Sequence, residues 1–204
     1  MNIKNREEIP LPDKHLDLGC GMEPRNPYRR GSLYGIDVRS YPSDGSITHA
    51  VANLALEPIP FKENFFGSVS AFDFLEHMPR LLSAADGKTT VFPFVRLMNE
   101  IWRVLAPCGR FYAVTPCFPS QAAFQDPTHV NFISVLTHEY FCGENPQGRM
   151  YGFHGHFREL RTEWVILKDS ATADERSLSQ SFRRLRRKVK GKLTHFLWEF
   201  ETLK

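Results

Sequence analysis

The segment His15-Leu16-Asp17-Leu18-Gly19-Cys20-Gly21 constrains this chain most. A short apolar run ends there on two glycines one residue apart. Such spacing lets a backbone leaving a strand turn tightly and approach a ligand with no Cβ in the way. Twenty residues after Asp17, a second short run, Leu33-Tyr34-Gly35-Ile36-Asp37, ends on a carboxylate. An acidic side chain at the end of a second strand can accept hydrogen bonds from both hydroxyls of a ribose. Either feature alone fits an ordinary turn or a solvated loop carboxylate; the pair points to a nucleoside site. A dinucleotide would require a third glycine where Pro24 stands, at a helix packed closely on the strand. Pro24, Pro27 and Gly31 break the 21–33 connection, so the first crossover helix is expected to be short or missing. A cofactor without a pyrophosphate is therefore favoured over NAD or FAD.

Strand character recurs at 15–18, 33–38, 49–52, 69–72 and 110–115, in short apolar runs that suit a buried parallel sheet. Between the last two, 91–105 reads as an amphipathic helix with Val91, Val95, Met98, Ile101, Trp102 and Leu105 on one face, stopped by Pro107 and Gly109. Segments 163–167 and 195–203 are expected to form a final antiparallel pair at the sheet edge. The resulting expectation is an α/β, doubly wound, mostly parallel seven-stranded sheet with helices on both faces. Residues 1–204 form one domain in this reading. Its aromatic, Pro- and Gly-rich segment 116–156 covers the strand ends as a lid, and a basic helical insertion at 174–192 precedes the last strand.

The 204 residues, 42% of them hydrophobic, can bury one substantial core. The polar opening and the prolines at 116 and 119 leave no signal peptide or membrane-spanning run. Four cysteines without a C-x-x-C pair argue against structural zinc or a disulfide framework and point to the cytoplasm. The net charge of +3 is unevenly placed: residues 171–204 hold nine Lys or Arg against four Asp or Glu, leaving the rest of the chain slightly acidic.

Four blocks in order, HLDLGCG, LYGID, ANLALEPIPF followed by FFGSVSAFDFLEHM, and MNEIWRVLAPCGRFYAVTP, make residues 14–116 resemble the class I S-adenosylmethionine-dependent methyltransferases. The resemblance implies S-adenosyl-L-methionine as cofactor. It would place Asp17, Gly19 and Gly21 around the methionine part, Asp37 at the ribose, Asn53 and Leu54 at the adenine edge, and the Phe72 backbone near the methionine amino group. The family often carries Asp at the position of Asn53 and a small residue at that of Glu23. An amide carbonyl can still accept from an adenine amino group. Similar DPTHV segments accompany methyltransferases of glycan pathways, which makes a small-molecule or sugar hydroxyl the expected acceptor and the reaction an O-methylation.

A hydroxyl acceptor must lose a proton, and His77 in LEHM, with Asp126 and His129 in QDPTHVNF, are the candidate catalytic groups. The alternative for His77 is a structural residue closing the loop. His138, His154 and His156 with Asp126 match no ligand spacing, so no metal is expected. In 176–190, Leu178, Phe182, Leu185 and Val189 share one helical face, while Arg183, Arg184, Arg186, Arg187, Lys188 and Lys190 occupy the others. That helix can lie on an anionic membrane, including the inner face of a cell membrane, or grip RNA phosphates. Equally, its apolar stripe can cover the protein's own sheet. The alternatives to a small-molecule enzyme are an RNA methyltransferase and a catalytically silent binding protein of the same fold.

Overall fold

The computed structural model describes residues 10–42 and 45–204; most of the polar opening read above lies outside them. Four parallel strands, β1 (Lys14–Leu18), β2 (Ser32–Asp37), β3 (Ile47–Val51) and β4 (Phe66–Phe72), build one half of the sheet. Every residue of β4 is buried, as expected where both faces are covered. The chain then forms a small hairpin of β5 (Leu82–Ser83) and β6 (Thr90–Val91) before helix α1 (Pro93–Val104) returns it to β7 (Leu105–Pro116). Helix α2 (Ala122–Gln125), strand β8 (Phe157–Val165), helix α3 (Leu178–Val189) and strand β9 (His195–Thr202) complete the order.

The seven-stranded sheet runs β3-β2-β1-β4-β7-β9-β8. Strands β4 and β7 pair parallel, β9 lies antiparallel to β7, and β8 antiparallel to β9. The mostly parallel sheet with an antiparallel edge agrees with the sequence reading. So does the 21–33 connection, which carries no helix. Strand order reverses between β1 and β4, and such a switch point opens a crevice at the carboxyl ends of the strands.

Three boundaries and one face depart from the sequence reading. Strand β8 starts at Phe157, ahead of the expected 163, because its exposed Arg158, Glu159 and Leu160 mask the alternation. Strand β7 extends back to Leu105, where Phe66 pairs across a register shift. Pro93 takes the first turn of α1, a position that needs no N–H, so the helix begins there and not at 91. Its buried face carries Phe94, Leu97, Met98, Ile101 and Val104, with Val95 and Trp102 only partly buried. Arg103 fixes α1 to the connection between β3 and β4 by donating to Phe61 O and Ile59 O, and it pairs with Glu100.

Helix α3 is capped by a reciprocal Ser177–Gln180 box. Its orientation reverses the bland expectation for an amphipathic helix. Arg183 pairs with Asp169, Arg184 with Glu163 and the Trp164 carbonyl, and neighbouring Arg176 with Glu163. The apolar stripe faces outward, with Leu178, Phe182 and Val189 exposed by 92, 71 and 81%. Among the described residues no helix is long and apolar enough to cross a membrane.

Candidate functional site

At the carboxyl ends of β1 to β4 lies a cleft of about 160 Å³. Gly19 lines it from the turn after β1, Asp37 from the end of β2, Asn53 and Leu54 from the turn after β3, and Phe74 and His77 from the turn after β4. Gly19 and Gly21 hold φ of +64° and +59°, a left-handed conformation that glycine adopts without steric cost. A β-carbon on Gly19 would stand 2.4 Å from Phe74 Cδ2, so this turn and the ring are packed in direct contact.

Asp37 is fixed by the turn it faces. Its Oδ2 accepts from Gly21 N at 3.1 Å and its Oδ1 from Arg39 N at 3.0 Å, while Cys20 N donates to Ile36 O. Each carboxylate oxygen keeps a further lone pair for a ligand hydroxyl. Asn53 Oδ1 accepts from Ala55 N at 3.1 Å, which sets the turn that presents Leu54 to the cleft.

Asp17 plays a different part. It is buried, and its Oδ2 accepts from Arg25 N at 2.8 Å while its Oδ1 accepts from Ser70 Oγ at 2.5 Å. Burial pushes its carboxyl up to about 7, against the opposing pull of the Ser70 hydrogen bond. Asp17 thus clamps the 19–25 loop from beneath. Phe72 is buried against Tyr112, with the Arg25 guanidinium 4.6 Å from its ring centroid. Of the seven residues read as cofactor-binding, Gly19, Asp37, Asn53 and Leu54 line the cleft; Asp17, Gly21 and Phe72 shape its surroundings.

The three catalytic candidates come together. The segment after β7 is tied to the 3-10 turn Leu75–His77 by Val130 N and Asn131 N, both donating to Glu76 O, and by Asn131 Nδ2 donating to Leu75 O. This brings the His77 and His129 rings to an edge contact with centroids 4.8 Å apart. Asp126 Oδ1 accepts from Thr128 N and from Thr128 Oγ1, and Thr128 Oγ1 lies 3.0 Å from His77 Nδ1. Sequence reasoning missed Glu76, which is buried beside both rings with Thr115 Oγ1 donating to its Oε2 at 2.8 Å. Burial pushes the Glu76 carboxyl up to about 7. The missed signal was adjacency: Glu76 stands next to His77 in the same LEHM block. Sequence reasoning also missed the pair of Asp73 and His195, which meet at 3.0 Å. Asp73 carries a positive φ of 48°, a strained setting for a residue other than glycine.

The histidines considered as a remote metal set do not gather. His138 bonds Glu159, His156 bonds the Gly143 carbonyl, and His154 packs on Trp102. A second cavity, about 400 Å³, is lined by Arg80, Phe92, Phe94, Leu136, Tyr140 and Tyr151. Arg80 donates to Asn131 Oδ1 and Phe132 O, so one side chain borders this cavity and fixes the His129 segment.

Sheet order, switch-point cleft and strand-end glycine turn together give this chain the fold of the class I S-adenosylmethionine-dependent methyltransferases. No protein-family model and no curated protein matches it by sequence. Solved structures do match in fold. A methyltransferase complexed with the Haloferax volcanii Trm112 methyltransferase activator is 14% identical, with a TM-score of 0.57 over 97% of this chain and 86% of that one. An S-adenosylmethionine-dependent methyltransferase from Mesorhizobium loti is 12% identical at a TM-score of 0.54, over 92% and 90%. Geranyl diphosphate C-methyltransferase from Streptomyces coelicolor, solved with S-adenosyl-L-homocysteine, is 15% identical at 0.52, over 94% and 73%.

Proposed function

We propose that this protein is an S-adenosylmethionine-dependent methyltransferase acting on a hydroxyl group of a small molecule or glycan. The carrying observation is the Asp37 carboxylate, fixed by two backbone amides in a cleft that the Cβ-free Gly19 also lines. That arrangement suits a ribose between a backbone turn and the Asn53–Leu54 edge. Bound there, the cofactor supplies a methyl group on a sulfonium centre, an electrophile with a good leaving group.

The chain's own task is to align the acceptor, exclude water and take the hydroxyl proton. Alignment of two reactants can lower a barrier by roughly 7–11 kcal/mol. His77 already lines the cleft, with Asp126 behind Thr128 at its Nδ1, and His129 is the neighbouring group that can receive the proton. The 400 Å³ cavity offers aromatic faces of the kind that pack on sugar C–H surfaces, which supports the small-molecule or glycan reading. In this reading 116–156 serves as the lid. Helix α3, with an exposed apolar stripe flanked by Arg186, Arg187, Lys188 and Lys190, would meet an anionic membrane surface.

Calorimetric titration with S-adenosylmethionine and S-adenosylhomocysteine, with NADH as control, tests the cofactor. Micromolar binding of the first two alone supports the proposal, and silence with all three shifts it to a binding protein of this fold. The RNA-methyltransferase reading draws on the same basic helix. Methyl transfer to RNA, with none to glycans, would establish it instead.

A further inference from the structure

We propose that Glu76, His77 and His129 form a binding site for one divalent transition-metal ion. Their ligand atoms lie within 4.8 Å of one another, and Glu76 Oε1 stands 3.9 Å from His129 Nε2. Bonds of about 2.0–2.2 Å in a tetrahedral site set ligand atoms roughly 3.4 Å apart, so binding would draw the Glu76–His129 pair in by about half an ångström and the widest pair by somewhat more than 1 Å. Unlike the dispersed histidines discussed above, these three groups converge from two chain segments pinned together by backbone hydrogen bonds.

An independent observation points the same way. Glu76 Oε1 has no hydrogen-bond partner although Glu76 is only 1% exposed. An unpartnered buried carboxylate oxygen is costly, and a cation removes the cost. The other oxygen is occupied by Thr115, so Oε1 is left facing His129 Nε2.

Both rings are held in the tautomer a ligand needs. The Thr128 hydroxyl has one hydrogen and gives it to Asp126, so it must accept from His77 Nδ1–H. His129 Nδ1 faces the Ala123 carbonyl at 3.2 Å, which only accepts, so it too carries the hydrogen. Each Nε2 therefore presents a lone pair. Metal-bound histidines are usually oriented in this manner by carboxylates and carbonyls behind them. Two imidazoles and one carboxylate suit zinc, iron(II) or cobalt(II) over magnesium or calcium. Three protein ligands leave a position open for an acceptor oxygen, whose proton the ion would make easier to lose. In that role His129, with Nε2 on the ion and Nδ1–H on the Ala123 carbonyl, holds the ion in place of taking the proton itself, and the proton leaves to solvent. The catalytic role rests on the methyltransferase reading, whereas the ion site itself does not.

The test uses the full chain stripped with a chelator and titrated with Zn²⁺ by calorimetry and with Co²⁺ by visible absorption. One ion per chain is expected, with cobalt bands typical of nitrogen and oxygen ligands. Glu76→Gln and His129→Asn should each weaken binding by more than the roughly 10–100-fold that loss of an outer partner costs, while His154→Ala, a surface control, should leave it unchanged. Thermal unfolding in chelator checks that the variants fold. If Glu76→Gln does not fold, His77→Asn takes its place. Absence of cobalt bands, or binding that survives Glu76→Gln/His129→Asn, overturns the proposal. S-adenosylmethionine titration in chelator reads the cofactor site separately, so failure of one reading is distinguishable from failure of the other.

Discussion

His15 and Asp17 are joined through one hydroxyl. His15 Nε2 lies 2.8 Å from Ser70 Oγ, which lies 2.5 Å from Asp17 Oδ1, and His15 Nδ1 meets Ser68 Oγ at 2.7 Å. Two residues apart on β1, they project to the same face and meet β4 there. With Asp17 ionised, Ser70 donates to it and accepts from His15. A protonated Asp17 reverses that direction.

This network ties stability to pH. Burial lowers His15 to about 3 and raises Asp17 to about 7. A native carboxyl that stays protonated while the unfolded one ionises makes the fold lose stability as pH rises from about 4 to about 7. His15 acts oppositely, since its unfolded form alone binds a proton between about 3 and 6.5. Asp17→Asn mimics the protonated acid and removes only the first effect. Urea midpoints at pH 4.5 and 7.5 should show the variant gaining on the wild type at the higher pH; a gap independent of pH refutes the raised carboxyl.

The two glycines of the turn should differ on substitution. Gly21→Ala meets nothing within 4 Å and costs only the left-handed backbone, about 1–2 kcal/mol. Gly19→Ala adds a clash with the Phe74 ring, Cγ included, for a total of roughly 2–5 kcal/mol. Thermal unfolding should rank them in that order, and Gly19→Ala should also lose cofactor binding.

Asp37→Ala should weaken S-adenosylmethionine binding at least tenfold with the fold intact by circular dichroism, and Asp37→Asn by less, because an amide keeps one acceptor oxygen. Unchanged affinity in Asp37→Ala would refute its ribose role.

Helix α3 should bind vesicles containing phosphatidylserine and leave phosphatidylcholine vesicles alone, with affinity falling as salt rises. Phe182→Asp, on the exposed stripe, should reduce binding about tenfold or more in co-sedimentation without changing thermal stability. Equal binding to both vesicle types sinks the membrane reading.

How much of this was legible beforehand depends on the range of the physics involved. Short buried strands, the helix stop at Pro107 and Gly109, and the missing first crossover helix are written in local periodicity and in glycine and proline. Gly19 and Asp37 could be placed at one cleft because parallel neighbours put both strand ends on the same side. The early start of β8 escaped notice because its polar opening residues are exposed and carry no alternation.

The sequence by itself determined the sheet, the glycine turn and the acidic residue facing it, since each follows from spacing along a single stretch of chain. Only the tertiary structure decided that Glu76 joins His77 and His129, from segments more than fifty residues apart, under backbone hydrogen bonds that no pattern announces. It also decided which way α3 faces. Amphipathic periodicity identifies an apolar stripe but not what the stripe meets, and here ion pairs of Arg183 and Arg184 with Asp169 and Glu163 turn the stripe to solvent.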